Sequence, residues 1–326
     1  MSFNFKSLKY PAFWISIGVI VLAGILPLLA GSTTVREKVF LMLMAVALAS
    51  SLNILLGYAG YVSFGHIVFF GLGGYIGFYF ISQLGWTLFP GAIAGGITAG
   101  VLALLLGLAI LRLRGAYFAL ATIGVNEAIR TLVNNLDFLG GPVGMELNFK
   151  VYQEYGGAAN MQWITYWAMF GLTLAAVMLS YWVKFSRFGL GLMAIREDED
   201  AAMTMGVRTP LAKTWAYVLS AIIPGMTGVI FFFRNSSVEP HEAFRLHRSI
   251  EMIVMVMLGG QGTVQGPIFG AAFYEWLRGF LLTSPIFKNL QLAFAGLLLL
   301  LIVQFVPSGI IGWLRGRFRS LWRVLE

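Results

Sequence analysis

Residues 184–213 read KFSRFGLGLMAIREDEDAAMTMGVRTPLAK. Apolar runs flank this polar interval, Ile164 to Val183 before it and Trp215 to Phe233 after it. About 20 apolar helical residues cross a hydrocarbon core, so each flank is long enough to span a bilayer. Lys184, Arg187, Arg196, Arg208 and Lys213 lie in the interval. Short loops rich in Lys and Arg stay on the cytoplasmic face, which predicts a cytosolic loop. Within it, Arg196 to Gly206 predicts one short helix, with Glu197, Asp198, Glu199 and Asp200 toward the end where the helix dipole favours negative charge, and Gly206 as its stop. A lone cytosolic helix between two spans has the form of a docking element for something outside the membrane.

The composition points the same way. Of 326 residues, 59% are hydrophobic and 11% charged, with a mean hydropathy of +0.82. Soluble domains carry roughly 25% charged residues, so the chain is read as a polytopic, all-α membrane protein. Its 39 glycines suit transmembrane helices that approach closely. The lack of cysteine excludes disulfides and thiol chemistry. The net charge of +8 is assigned to a basic cytoplasmic face beside anionic lipid, and nucleic acid is not expected as a partner. Lys6 and Lys9 precede an apolar run that lacks a small-residue cleavage site, which reads as an uncleaved first span.

Spans are predicted at 12–30, 39–56, 64–82, 88–111, 116–133, 163–183, 214–233, 266–282 and 290–306. A half-length run, Ser249 to Leu258, ends in the glycine-rich Gly259 to Gly266 and makes about ten elements. Ten elements put both termini on one side. Thirteen basic residues then fall inside: Lys6, Lys9, Arg112, Arg114, the five of the central loop, and Arg315, Arg317, Arg319 and Arg323 of a tail at 307–326. Seven fall outside, namely Arg36, Lys38, Lys150, Arg234, Arg245, Arg248 and Lys288. That bias predicts cytosolic termini and a cytosolic central loop. The intervals 134–162 and 234–248 become outer loops. His241 and His247 in the second, with Glu239 and Glu242, lack a third ligand at a helical offset, so no metal site is expected.

No phosphate loop of the pattern Gly, four residues, Gly-Lys-Ser/Thr occurs, so any ATP-driven work has to come from a partner. The most informative membrane stretch is Gly57 to His66, GYAGYVSFGH. Each of its three leading glycines weakens a helix by about 1 kcal/mol relative to Ala. Ser63, Phe64 and His66 therefore stand beside an unwound turn, where they line a translocation path or serve as hydrogen-bonded packing. Tyr117 and Thr122 in the next span, and Gly260 in the glycine-rich break, are the other pathway candidates. Glu127 and Arg130, and again Glu275 and Arg278, stand three apart within spans and read as charge pairs tying helices together. Glu251 opens the half-length element, near its N-terminal dipole.

Several pieces together carry a resemblance. They are Gly57 to His66 followed by Phe69-Phe70-Gly71; Arg112 to Ala119; Gly140-Gly141-Pro142-Val143-Gly144; Ser186-Arg187-Phe188-Gly189; Ala194 to Glu199; and Gly259 to Gly262 with Gly266-Pro267. Over nearly its whole length the chain resembles the M-type permease subunit of branched-chain (leucine/isoleucine/valine) amino acid ABC importers. Asp200-Ala201-Ala202, three residues and Gly206 look like the Glu-Ala-Ala…Gly motif through which ABC permeases dock on their ATPases. The chain departs from the family pattern at Ala116, where Asp is usual, at Leu139, often Thr, and at Asp200. The resemblance implies a single permease domain in a bacterial inner membrane and no enzymatic activity or cofactor of its own. It also implies a homologous second permease, two cytosolic ATPase subunits holding ATP and Mg, and a periplasmic binding protein that delivers the amino acid. Arg196 to Ala202 and Gly206 would be the ATPase-coupling residues. Related permeases serve urea, amides and other small solutes, which stay open as alternatives, as does an ion-coupled secondary transporter.

Overall fold

The computed structural model describes residues 11–283, together with 296, 297, 304 and 309–312. The expected span at 290–306 and the basic tail at 307–326 lie outside the described residues apart from those few positions. In chain order the helices are α1 (Pro11–Ala30), α2 (Thr33–Asn53) continued by a π turn (Ile54–Tyr58), α3 (Ile67–Leu84), α4 (Leu88–Ile110) and α5 (Ala116–Asn134). A strand β1 (Met145–Glu146) and α6 (Phe149–Glu154) follow, then α7 (Ala158–Phe185), α8 (Arg187–Glu197), α9 (Glu199–Thr204) and α10 (Thr209–Asn235). The series ends with β2 (Ser237–Val238), α11 (Pro240–Ala243), α12 (Leu246–Gly259) and α13 (Gln265–Thr283). The expectation of an all-α polytopic membrane protein is borne out. Among the described residues, six helices are long and apolar enough to cross a membrane: Phe13–Ala30, Thr33–Tyr58, Ile67–Leu84, Leu88–Ile110, Ala158–Phe185 and Thr209–Asn235. α5 and α13, nineteen residues each, carry the paired charges and fall short of that apolarity.

The chain forms two compact units. The first comprises the described parts of Met1–Gly60 and Ile250–Glu326 with Thr173–Thr209; the second comprises Tyr61–Leu172 and Pro210–Ser249. At the centre of the first is α2, whose residues from Val39 to Tyr58 are almost all buried, packed by α1 and α13. Thr173 donates to the Leu43 carbonyl at 3.0 Å, and the Tyr58 hydroxyl lies 2.8 Å from that of Ser180, so the second half of α7 is bonded to the middle of α2 and to its π turn. α12 and α13 share an electrostatic contact: Glu251 lies 3.6 Å from Arg278 and accepts from the Tyr274 hydroxyl at 3.3 Å. Because α12 begins at Leu246, Glu251 is past its first turn and partners a cation, not the helix dipole as expected. Arg278 also holds Glu275 at 3.2 Å, so this expected pair does tie two helices. The other does not: Glu127 and Arg130 meet each other at 3.4 Å along one exposed side of α5.

The second unit is built on glycines. A Cβ on Gly73 of α3 would stand 2.6 Å from the Gly225 Cα of α10 and 2.6 Å from the Gly95 carbonyl of α4. These neighbours are backbone and cannot rotate away, so three helices meet at a distance only hydrogen side chains permit. Outside the spans, β1 and β2 pair antiparallel, Met145 with Val238 and Glu146 with Ser237. The Tyr75 hydroxyl donates to Val238 at 3.3 Å, Tyr155 accepts from the Leu88 amide at 2.9 Å, and Asn126 donates to the Phe244 carbonyl at 3.0 Å. The approach to β1 needs Gly144 at φ +85°, with the Val238 carbonyl filling the space of a Cβ, which accounts for the Gly-rich 140–144 motif.

Gly73→Ala is expected to lower the stability of the purified protein by about 1–3 kcal/mol through overpacking. Gly124→Ala on α5, where a Cβ meets nothing within 4 Å, should raise the thermal unfolding midpoint in detergent slightly, since Ala favours a helix interior over Gly by about 1 kcal/mol.

Candidate functional site

The charged interval folds as an elbow of two short helices where one was expected. Ser186 caps α8 by accepting the Gly189 amide at 3.1 Å, and Leu192 and Ile195 bury its inner face. Asp198 then leaves helical geometry (φ −157°, ψ 112°) and its carboxylate accepts the amides of Asp200 at 2.9 Å and Ala201 at 3.0 Å, starting α9. Arg196 and Glu197 therefore end the first helix instead of opening the second. α9 stops at Gly206 as expected. With φ +89° this glycine donates to the Met203 carbonyl, and Val207 donates to that of Ala202, a Schellman ending. Ala202 is buried, whereas Glu197, Asp198, Asp200 and Ala201 are exposed along with Met203 and, at 86% exposure, Met205. The elbow thus presents acids and two methionines together. Arg196 turns the other way, its guanidinium donating to the Gly57 carbonyl at 2.7 Å.

In the second unit, Pro224 lies inside α10. Proline has no amide hydrogen, so the carbonyl four residues earlier, that of Ser220, loses its helical donor. His66 Nε2 fills the gap at 3.0 Å. A carbonyl only accepts, so Nε2 carries a proton, and Nδ1, the acceptor of a neutral ring, is buried with no hydrogen-bond partner among the described residues. Around the ring stand Phe69 (5.2 Å between centroids) and Tyr217 (6.3 Å), and the buried Ser63 lies against the Tyr217 phenol. Thr122 of α5 accepts the Phe64 amide at 3.1 Å. Ser63, Phe64, His66 and Thr122 thus come together where the chain enters α3. Tyr117 does not join them, being 75% exposed at the start of α5, and Gly260 belongs to the other unit, where it opens the turn after α12. Glu242 is engaged by Arg245 at 3.0 Å, and among the described residues no three His, Asp or Glu side chains converge as a metal site.

A profile of the family described as branched-chain amino acid transport system / permease component matches residues 35–303. The chain belongs to this family. It is 29% identical over 335 residues to the high-affinity branched-chain amino acid transport system permease protein LivM of Escherichia coli K12, covering 93% of this chain and 76% of that protein. It is 25% identical over 280 residues to the LivH permease protein of the same system and strain, covering 78% and 87%. The autoinducer 2 import system permease LsrC of Salmonella paratyphi B is 26% identical over 225 residues, 67% of this chain and 60% of that one. No solved structure matches the chain significantly.

For a family permease, Lys213 is the residue most poorly read from sequence. It counted as a loop charge, yet it sits inside α10 with 3% exposure, donating to the Tyr61 hydroxyl at 2.9 Å and the Leu111 carbonyl at 2.8 Å. Leu111 caps α4, so the ammonium closes the negative end of that helix. Lys213, Tyr217, Ser220 and Pro224 recur every three or four residues, one stripe of α10, and that spacing is the signal that links the cluster. Arg234, counted as an outer-loop charge, is likewise buried and donates to the Gln162 carbonyl at 3.1 Å.

Lys213→Met removes both bonds and leaves two oxygens short of donors. A loss of about 1–3 kcal/mol is expected in thermal unfolding of the detergent-solubilised chain.

Proposed function

We propose that this chain is a permease subunit of an ATP-driven importer of branched-chain or other hydrophobic amino acids in a bacterial cytoplasmic membrane. It works beside a homologous second permease, with two cytosolic ATPase subunits that hold ATP and Mg and a periplasmic binding protein that delivers the solute. Both termini are cytosolic. The observation that carries this reading is the family match across residues 35–303, joined to an acidic, methionine-tipped elbow in the position of the docking motif. Similarity to proteins named as two different permeases of one transport system, LivM and LivH, supports the paired arrangement.

In this mechanism the elbow sits against an ATPase subunit. Met203 and Met205 supply adaptable apolar contact, and Glu197, Asp198 and Asp200 supply charge that fixes orientation. Closure of the ATPase pair on ATP pushes α9, and α8 carries the displacement into the membrane. The solute path runs past Ser63, Phe64, His66 and Thr122, where a neutral imidazole acceptor stands among aromatic faces. Such a lining suits an ammonium group followed by an apolar side chain. Tyr117, in the same unit, flanks this path in the same reading.

The deciding experiment is copurification of the complex followed by uptake in proteoliposomes. Labelled leucine, isoleucine or valine should enter only with ATP and the binding protein. Uptake of urea and not of these amino acids would overturn the substrate class, and uptake driven by an ion gradient without ATP would overturn the importer class. Glu197→Lys combined with Met205→Asp is expected to lower ATP-driven uptake about tenfold or more while the two permeases still assemble. Undiminished uptake would sink the docking role. For the path, His66→Phe should reduce uptake with the complex intact, and wild-type rates in that variant would remove His66 from it.

A further inference from the structure

We infer that Arg196 is a positioning residue: it is an inward arm by which the α8–α9 elbow holds the π turn at the end of α2 and, through Asn53, the glycine turn after α12. The inference rests on the importer reading for its purpose, but not for its geometry. The helix that began as α2 ends after the π turn, so no helical amide reaches back to the Gly57 carbonyl. Arg196 Nη1 takes that carbonyl at 2.7 Å, a charge-assisted bond roughly twice as strong as one between neutral groups. Two glycines leave room for the arm and a third for Asn53. A Cβ on Gly60 would stand 3.0 Å from the Arg196 Cγ, and one on Gly262 would stand 2.7 Å from Nη1. On Gly57 it would overlap the Asn53 carboxamide and lie 2.6 Å from the Gly262 amide.

Asn53 completes the connection. Its Oδ1 accepts the Gly262 amide at 3.1 Å and its Nδ2 donates to the Thr263 carbonyl at 2.9 Å. Both hydrogen-bonding ends of one side chain are thus spent on the turn after α12, and that side chain precedes the π turn that Arg196 holds. Among the described residues the Arg196 guanidinium meets a backbone carbonyl, although Glu197 and Asp198 follow it directly in the chain. A salt bridge at the surface would leave the elbow mechanically separate from the membrane. A bond to a carbonyl in the π turn does not, because that turn continues α2. Movement of the elbow therefore pulls on the end of α2 and, through Asn53, on the glycine turn together.

The test uses the full chain in nanodiscs and hydrogen exchange read by mass spectrometry. Arg196→Met keeps the aliphatic stem and removes the donor. Exchange should rise about tenfold in peptides covering residues 53–61 and 259–263, and Arg196→Lys, which retains one donor for one carbonyl, should restore most of the protection. Faster exchange confined to residues 187–200, or none, would overturn the inference. In the reconstituted importer, the solute carried per ATP hydrolysed should fall about tenfold in Arg196→Met, again with rescue by Lys. An unchanged ratio would overturn it. A wild-type complex with no ATP-driven uptake would defeat the importer reading instead, and the exchange result would still decide the mechanical link.

Discussion

A backbone carbonyl freed where a helix breaks or ends needs a donor from elsewhere, and three such carbonyls organise this chain. Pro224 frees Ser220, and His66 answers it. The end of the π turn frees Gly57, and Arg196 answers it. The end of α4 frees Leu111, and Lys213 answers it. In each case the donor is a basic side chain brought from elsewhere in the sequence, and in each case its charge or proton is committed to structure. Helix interruptions here are therefore junctions, and the residues that serve them fix which elements move as one.

Glycine does the complementary work. At Gly73, Gly95 and Gly225 the helices touch through backbone, and no apolar side chain separates them. Lipid offers no hydrophobic drive for helices to associate, so close van der Waals contact has to supply it. The same absence of a side chain admits the Arg196 arm between Gly60 and Gly262. One residue type thus provides both close packing and a channel through which a charged side chain reaches the end of α2.

Much of the fold was legible because hydrophobic run length is decisive when the solvent is lipid. The predicted runs at 64–82, 88–111 and 116–133 correspond within a few residues to α3, α4 and α5. The elbow was legible as charge and a glycine stop, and its break was not. Of the four successive acids at 197–200, Asp198 and Asp200 both qualify as a cap, and only the extended backbone at Asp198 selects one. Side-chain direction was the larger loss. Lys213 and Arg234 were counted as loop cations because a sequence gives charge but not the carbonyls that charge will meet. Glu127 and Arg130 were read as an interhelical tie because spacing alone does not say which face of α5 turns inward. The His66 cluster was half legible: the glycine-rich stretch drew attention to it, while Pro224, four residues beyond Ser220, held the rest of the explanation.

The two-rung β1–β2 ribbon has a consequence of a different kind. With Tyr75, Tyr155 and Asn126 bonded around it, the backbone of residues 134–162 and 235–248 is anchored before anything approaches. Ordering a free loop costs about 1–2 kcal/mol per residue in conformational entropy, and that cost falls on whichever event does the ordering. Here it falls on folding. A protein that settles on this surface meets a finished shape, so its binding and release are governed by contact area and charge instead of by the slow gathering of a loose segment.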